Sequence, residues 1–508
     1  MKGTRLTSLV SALLATCIAG CAVGPNYVAP ATQIAPFHNL AGVEARKTEL
    51  PAPALDTWWT GFNDPTLVTV IQRALAQNLD LEAAFARVQQ AHAAARAAGA
   101  ELLPTIDVDA SGTALRQSLY SPLGSVASTY PGYSRSQREY NVGAAASWEI
   151  DLFGGLRRGR AAARYDAQAA QAEQAGTRIT VVADAADAYL QIRGLQARLA
   201  VAQDQIDTDA HLLGLVQVRH RFGAAEDREV AQTEALLKQA RATLPLLRIA
   251  LEAQLNRLDV LMGAQPGTYA RELQGPSAIP SIPAIHGSDQ PVDVLRRRPD
   301  IIAAERRLAA SNERIGAAIS DYYPKLSLSG VLGFDSLDTQ HLFGAKAFQP
   351  VGSGALRWRL FDFGKVDAEV AQSRGAHAEA LAQYRLSVLR DAEDVEDALM
   401  TLSQTEARAQ ELQDEVASLT RARDLSQRAY EAGAITLTDV LDADRQLLIA
   451  HDDLDANRAD AGRAAVRTFR ALGGGWAPAG PTPANLTSSN DTGPTLSGRA
   501  PPVAGNSH

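Results

Sequence analysis

Cysteine is nearly absent. The 508 residues hold only Cys17 and Cys21, both at the extreme N-terminus. That excludes a disulfide framework or a Cys-based zinc site in the body of the chain. Only three Met occur, Met1 among them, so no soft-ligand relay for copper or silver is available. The nine His form no cluster, and no metal or cofactor is expected. No GxSxG, HExxH, GxGxxG or phosphate-loop string appears, which removes the familiar routes to enzymatic chemistry. Basic blocks are missing too. With 49 Lys+Arg against 57 Asp+Glu the formal net charge is −8, which argues against a nucleic-acid partner. Hydrophobic residues still make up 46%, enough to bury a core.

What is present begins with an address. Lys2 and Arg5 precede a mostly apolar run over 6–19. That run is shorter than the roughly 20 residues of a spanning helix, and fits a secretory signal peptide over 1–20. It ends Ile18-Ala19-Gly20-Cys21, which resembles a bacterial lipobox. The resemblance implies cleavage before Cys21 and acylation of its thiol and new amine. Ala22, not Asp, follows, which by the bacterial sorting pattern points to the outer membrane. Each buried acyl CH₂ contributes about 0.8 kcal/mol, so several chains make a firm anchor.

The body is one unit written twice. Asn78-Leu-Asp80 matches Arg298-Pro-Asp300, and Leu103-Pro104 matches Tyr323-Pro324, at an offset of 220. Further on the offset is 210: Trp148 pairs with Trp358, Phe153-Gly154 with Phe363-Gly364, and Gly223 with Gly433. Each copy reads as helix, two strands, long helix, break, helix. Period-2 alternation predicts strands near 105–115, 141–153, 325–334 and 352–363. In the fourth, Leu356, Trp358 and Leu360 share a face opposite Arg357 and Arg359. Ten residues suit a tilted membrane-spanning strand. Alternation alone fits a water-soluble sandwich as well. Charges on the polar faces and a long Tyr/Ser/Gly/Pro-rich hairpin over 119–133 favour strands that line a pore.

The Pro-free stretch 156–222 predicts a helix of roughly 100 Å. Ile192, Leu195, Leu199, Ala202, Ile206, Leu213 and Val216 follow coiled-coil spacing, which an ordinary bundle shares. Arg423, opposite Leu213, breaks that seam in the second copy. Gly223 and Gly433 end the long helices; Pro245 is expected to kink the next one. The predicted organisation is a lipidated extended segment (21–63), a first repeat (64–262), a connector (263–290), a second repeat (291–476) and a disordered tail (477–508).

Four strands leave two open edges, and each unsatisfied backbone group in hydrocarbon costs several kcal/mol. Only a closed barrel avoids this. The strands must therefore be shared between chains, eight from two copies or twelve from three.

Four strings resemble the TolC/OprM-type outer-membrane efflux proteins, and most closely their NodT-like lipoprotein branch. They are Cys21-Ala-Val-Gly-Pro-Asn-Tyr27, Trp58-Trp59-Thr-Gly-Phe62-Asn-Asp64-Pro65, Arg297-Arg298-Pro299-Asp300-Ile301 and Leu472-Gly-Gly-Gly-Trp476. The resemblance implies an α+β membrane protein: a homotrimer with a 12-stranded β-barrel, four strands per chain, continued by a long α-helical coiled-coil tunnel in the periplasm. It also implies docking to a periplasmic adaptor and an inner-membrane pump, in most cases of the RND type. Function is then passive conduction of drugs or other small toxic compounds to the exterior. The competing reading is a structural coiled-coil envelope lipoprotein without transport activity; an envelope enzyme has no supporting cluster.

In the family, acidic residues just past the second-half helix break constrict the tunnel's periplasmic end. The matching residues are Asp439 and Asp442, three apart on one helix face. Three copies would gather six carboxylates, whose repulsion raises some pKa values and attracts cations. Read without the family, the stretch is a solvated face crowded by Asp444, Arg445, Asp452 and Asp453. Glu229 matches Asp439 in the first copy. Ile435 stands where TolC has a basic residue, so the closed state is expected to use other ties, involving Tyr430 and Glu229.

Overall fold

The computed structural model describes residues 22–31, 35–40, 42, 50–275, 277–285, 294 and 296–477. The predicted signal peptide, Cys21 and the tail from 478 onward lie outside the described residues.

The first repeat holds α1 (Pro65–Gln77), α2 (Leu79–Ala100), β1 (Thr105–Arg116), a short α3 (Pro122–Ala127), β2 (Ser136–Ile150), α4 (Gly155–Arg221) and α5 (Asp227–Leu261). A four-residue α6 (Ala270–Leu273) sits in the connector. The second repeat holds α7 (Pro299–Ser320), β3 (Lys325–Ser336), β4 (Phe348–Arg357), α8 (Lys365–Glu431) and α9 (Leu437–Ala471). Helix lengths are equal in the two halves: 22 residues for α2 and α7, 67 for α4 and α8, 35 for α5 and α9.

The strands form one antiparallel sheet in the order β1-β2-β3-β4. β1 and β4 are therefore edges within the chain. Ile106 and Val108 of β1 are 71% and 77% exposed, so nothing among the described residues covers that apolar face. No helix among the described residues is long and apolar enough to cross a membrane.

β2 and β4 both start and stop earlier than the sequence reading has them: β2 runs Ser136–Ile150 rather than 141–153, and β4 runs Phe348–Arg357 rather than 352–363. Side chains beyond each end are recruited to start a helix. Asp151 accepts the amides of Leu156 and Arg157, and Asp362 those of Gly364 and Val366. Trp148 and Trp358 mark the junction alike: their indole N–H groups donate to Leu102 O and Tyr322 O at 2.9 and 3.0 Å. Trp358 and Leu360 thus lie past the strand. Both long helices start after a left-handed glycine, Gly154 (φ 81) and Gly364 (φ 82), a conformation that costs other residues more. α5 continues unbroken through Pro245.

The N-terminal segment is not wholly extended, for Leu55–Phe62 forms a 3₁₀ helix. Its Trp58 stacks on Phe469 of α9 with ring centres 5.2 Å apart. That pair heads the main core, with Leu67, Ile71, Tyr189, Leu190, Val395 and Leu399. Residues 22–27 form a strap across the start of α4. Val23 N–H donates to Phe153 O at 3.1 Å. The Arg158 guanidinium, itself buried, donates to Val23 O, Gly24 O, Asn26 Oδ1 and Glu313 Oε2. Tyr27 donates to Glu305 of α7.

Candidate functional site

The residues singled out in the sequence lie at two helix–turn–helix tips, α4–α5 and α8–α9. Each tip turns on a left-handed glycine, Gly223 (φ 74) or Gly433 (φ 76). Nothing lies within 4 Å of a Cβ built on either glycine, so backbone conformation and not space requires it there.

The two tips are joined by a small apolar cluster. Leu212 and Val216 of α4 pack with Tyr430, Leu437 and Val440, against half-buried Ala225, Val230, Ile435 and Leu441. Tyr430 is 3% exposed, and its hydroxyl is buried without a hydrogen-bond partner. Above its ring sits the guanidinium of Arg219, 4.4 Å from the centroid, in cation–π geometry. Burial raises the phenol pKa; Arg219 opposes that shift and Glu229 adds to it. Glu229, far away in sequence, thus acts on Tyr430 through its charge, without a hydrogen bond to its hydroxyl. Arg219 was not singled out by sequence, because no local pattern announces a cation that meets its ring 211 residues later.

Asp439 and Asp442 are arranged differently. Asp439 closes a capping box at the start of α9: Thr436 donates to its Oδ2 from the hydroxyl at 2.7 Å and the amide at 3.0 Å. Those two bonds hold its carboxyl below the usual range. Within one chain the shift is thus opposite to the rise expected from crowding three copies. Asp442 accepts from Arg445 at 2.7 Å and from Gln446 at 2.8 Å. Both carboxylates are solvent-exposed in the single chain.

Two buried polar groups stand behind the tips. Arg423, the residue that breaks the apolar seam, donates to Asp444 of α9 at 2.8 Å, and Asp444 is 4% exposed. Asp209 of α4 is fully buried, accepts from Gln205 at 2.8 Å, and leaves Oδ2 unpartnered. Burial, with a smaller push from Asp444, lifts its carboxyl to about 6. Farther up, Arg298 bridges Asp300, Asp391 and Asp394 at 2.7, 2.9 and 3.3 Å. No group of His, Cys, Asp or Glu among the described residues is arranged to hold a metal.

The chain is thus a four-stranded antiparallel sheet joined to one 67-residue helix in each repeat. Residues 70–264 and 291–474 match the sequence model of the family described as outer membrane efflux protein. The chain belongs to the outer membrane efflux protein family. It is 33% identical over 419 residues to the pyoverdine export outer membrane protein OpmQ of Pseudomonas aeruginosa, covering 82% of this chain and 87% of that one. It is 28% identical over 455 residues to nodulation protein T of Rhizobium leguminosarum bv. trifolii, covering 89% and 94%. The solved outer-membrane channel OprN superposes with a TM-score of 0.81 at 30% identity, over 90% of this chain and 100% of that one. The fold is TolC-like, and the protein is an outer-membrane channel of an efflux system rather than an enzyme.

Proposed function

We propose that this protein is the lipid-anchored, homotrimeric outer-membrane duct of a tripartite efflux system. A periplasmic adaptor and an inner-membrane pump of the RND type deliver drugs or other small toxic compounds, which the duct conducts passively to the exterior. Three chains close a 12-stranded barrel in lipid, and the helices continue it as a tunnel through the periplasm. The mature chain divides into a lipidated segment (21–63), two repeats (64–262 and 291–476) joined by a connector (263–290), and a tail (477–508).

One observation carries the ring: the internal repetition stops short at both flanks of the chain. Where the first repeat meets the second, β2 pairs with β3, and α7 and α9 both pack on α4. Shifted by one repeat, the same contacts call for β4 with β1, and for α2 and α5 on α8. The described residues make no comparable contacts between those elements, so neighbouring copies must supply them. The flanks concerned carry exposed apolar side chains, Leu79 and Phe85 on α2, Leu246 and Ile249 on α5, Leu386 and Met400 on α8. Burying such surface contributes about 25 cal/mol per Å².

The strap supports the lipid anchor. Ala22 lies against Gly154, where β2 gives way to α4. Acyl chains on the preceding Cys21 then begin at the level where the barrel leaves the bilayer. At the other end, Asp439, Asp442, Tyr430 and Glu229 form the periplasmic gate, six aspartates around one axis and a tyrosine tie behind each pair.

The test is the mass and conductance of the detergent-solubilised protein. A conducting trimer is expected, with an acylated Cys21 by intact mass. A stable, non-conducting single subunit would falsify the ring. Crosslinking and pull-down from the native envelope identify the adaptor and pump.

A further inference from the structure

We infer that the groove walled by α4, α5 and α9, behind the two tips, binds an aromatic organic cation on the route of the cargo. Its place on that route rests on the duct proposed above; the groove itself is built within one chain.

The groove has a volume of about 480 Å³, within the range of sites that enclose small organic molecules. Ala202 of α4 and Ala240 and Leu247 of α5 are buried in its floor. Leu246 of α5 and Ile449 of α9 stand exposed along its lip.

Charge on the lining is unbalanced. Its two cations are engaged. Arg198 donates to both oxygens of Asp452, at 2.7 and 2.9 Å, and Arg445 donates to Asp442 at 2.7 Å. Two lining carboxylates, Asp209 and Asp453, have no ion pair among the described residues. Asp209 is fully buried, and its Oδ2 has no partner. Buried polar groups left so are rare, and a carboxylate left so is costly until a cation meets it. The helices around Asp209 do not supply one. Gln205, on its own helix, is neutral and donates to Oδ1. α5 brings Ala240 and Thr243, and α9 brings Asp444, whose charge is met by Arg423 of α8.

Apolar walls and an unanswered negative charge together select the ligand. A metal ion is bound through oxygen ligands and water and gains nothing from leucine and isoleucine; an organic anion is repelled. A flat aromatic cation covers Leu246, Leu247 and Ile449 with its rings and sets its charge against Asp209 and Asp453. Low-dielectric walls focus that attraction.

The groove is continuous with the proposed gate. Asp442, Arg445, Ile449 and Asp452 follow one another at helical spacing on one face of α9, and Arg445 ties the end of the groove to Asp442. In the ring of three copies, three such grooves then open on the tunnel next to the gate.

The probe is ethidium, read by fluorescence anisotropy with the detergent-solubilised full chain. Saturable binding of one ethidium per chain is expected. Asp209→Asn keeps the shape of the side chain and should weaken binding about tenfold, and Asp453→Asn about threefold. Thr243→Trp narrows the groove from an exposed position and should weaken binding as well. Asp207→Asn removes an exposed charge of α4 that is not on the lining and should change nothing. Asp209 ionises at about 6, so the original protein should bind ethidium more tightly at about pH 7.5 than at about pH 5, and Asp209→Asn should lose that difference. An aromatic anion, anilinonaphthalene sulfonate, should not compete. Equal weakening by Asp207→Asn and Asp209→Asn, or binding untouched by Asp209→Asn and Thr243→Trp, overturns the site. A conducting trimer that binds no ethidium removes the site and leaves the duct. A non-conducting single subunit that binds it removes the duct and leaves the site.

Discussion

Arg219, in the last turn of α4, holds its guanidinium 4.4 Å from the centre of the Tyr430 ring, in the last turn of α8. The contact joins the tips of the two repeats where Ile435 offers no cation. A cation–π pair of this kind contributes about 0.5–2 kcal/mol. Arg219→Ala should therefore loosen the tips and raise open-state occupancy in planar bilayers, with Arg219→Lys intermediate. Tyr430→Phe should behave as the original protein, because the hydroxyl it removes has no partner. A conductance change in Tyr430→Phe equal to that of Tyr430→Ala would contradict this account.

The aspartates act on cations in the gate and on the helix in the chain, and the two roles separate. Asp439→Ala with Asp442→Ala should weaken divalent-cation block of single-channel current. Unchanged block removes both from the gate. Asp439 alone also caps α9, and its pKa lies below the ordinary value. Its contribution to stability is present above the ordinary carboxylate range and is lost as pH falls through the lower folded value. Asp439→Asn should flatten that acid limb in thermal unfolding, whereas Asp442→Asn should not.

Asp391 behaves in the opposite sense. Burial, with the charges of Asp300 and Asp394 behind it and Arg298 pulling the other way, lifts its carboxyl to about 8. The folded chain thus keeps a proton that the unfolded chain releases above about pH 4. Stability from this group is full below that pH, declines as pH rises toward 8, and is level beyond. Asp391→Asn, which mimics the protonated form, should remove this decline. The measurement is the difference in melting temperature between variant and original at about pH 5 and about pH 9; a difference that does not change with pH counts against the assignment.

Arg158 is the hub of the strap. It is 7% exposed and its partner Glu313 5%. Arg158→Ala leaves that carboxylate buried without its cation and should cost about 3–5 kcal/mol. It also releases Val23, Gly24 and Asn26. Limited proteolysis should then cut residues 22–27 while the helices remain folded; continued protection of the strap would show that other contacts suffice.

The duplication was legible because the spacing of Trp148 and Trp358, and of Gly223 and Gly433, is set by helix lengths that agree to the residue. Strand existence was legible from alternation. The end of β4 was not, since Trp358 and Leu360 continue the apolar period while hydrogen bonds to Tyr322 and by Asp362 redirect the chain. Of the proposed gate residues, Tyr430 is buried with its ring against Arg219, a partner that the missing basic residue at 435 did not announce. The capping role of Asp439 was written in Thr436-Leu-Thr-Asp439, a Ser/Thr-x-x-acid signature. Arg423 announced itself by breaking the apolar seam; its partner Asp444 did not, because a buried aspartate looks like any other on a helix rich in them.

α4 and α8 are two rails of the same ladder, each 67 residues between a glycine turn at the barrel and a glycine turn at the tip. An added helical turn in one rail would lift one tip past the other and part Arg219 from Tyr430. Length changes in such a chain can survive only as matched pairs, so a lengthened or shortened descendant should carry the same insertion or deletion in both halves.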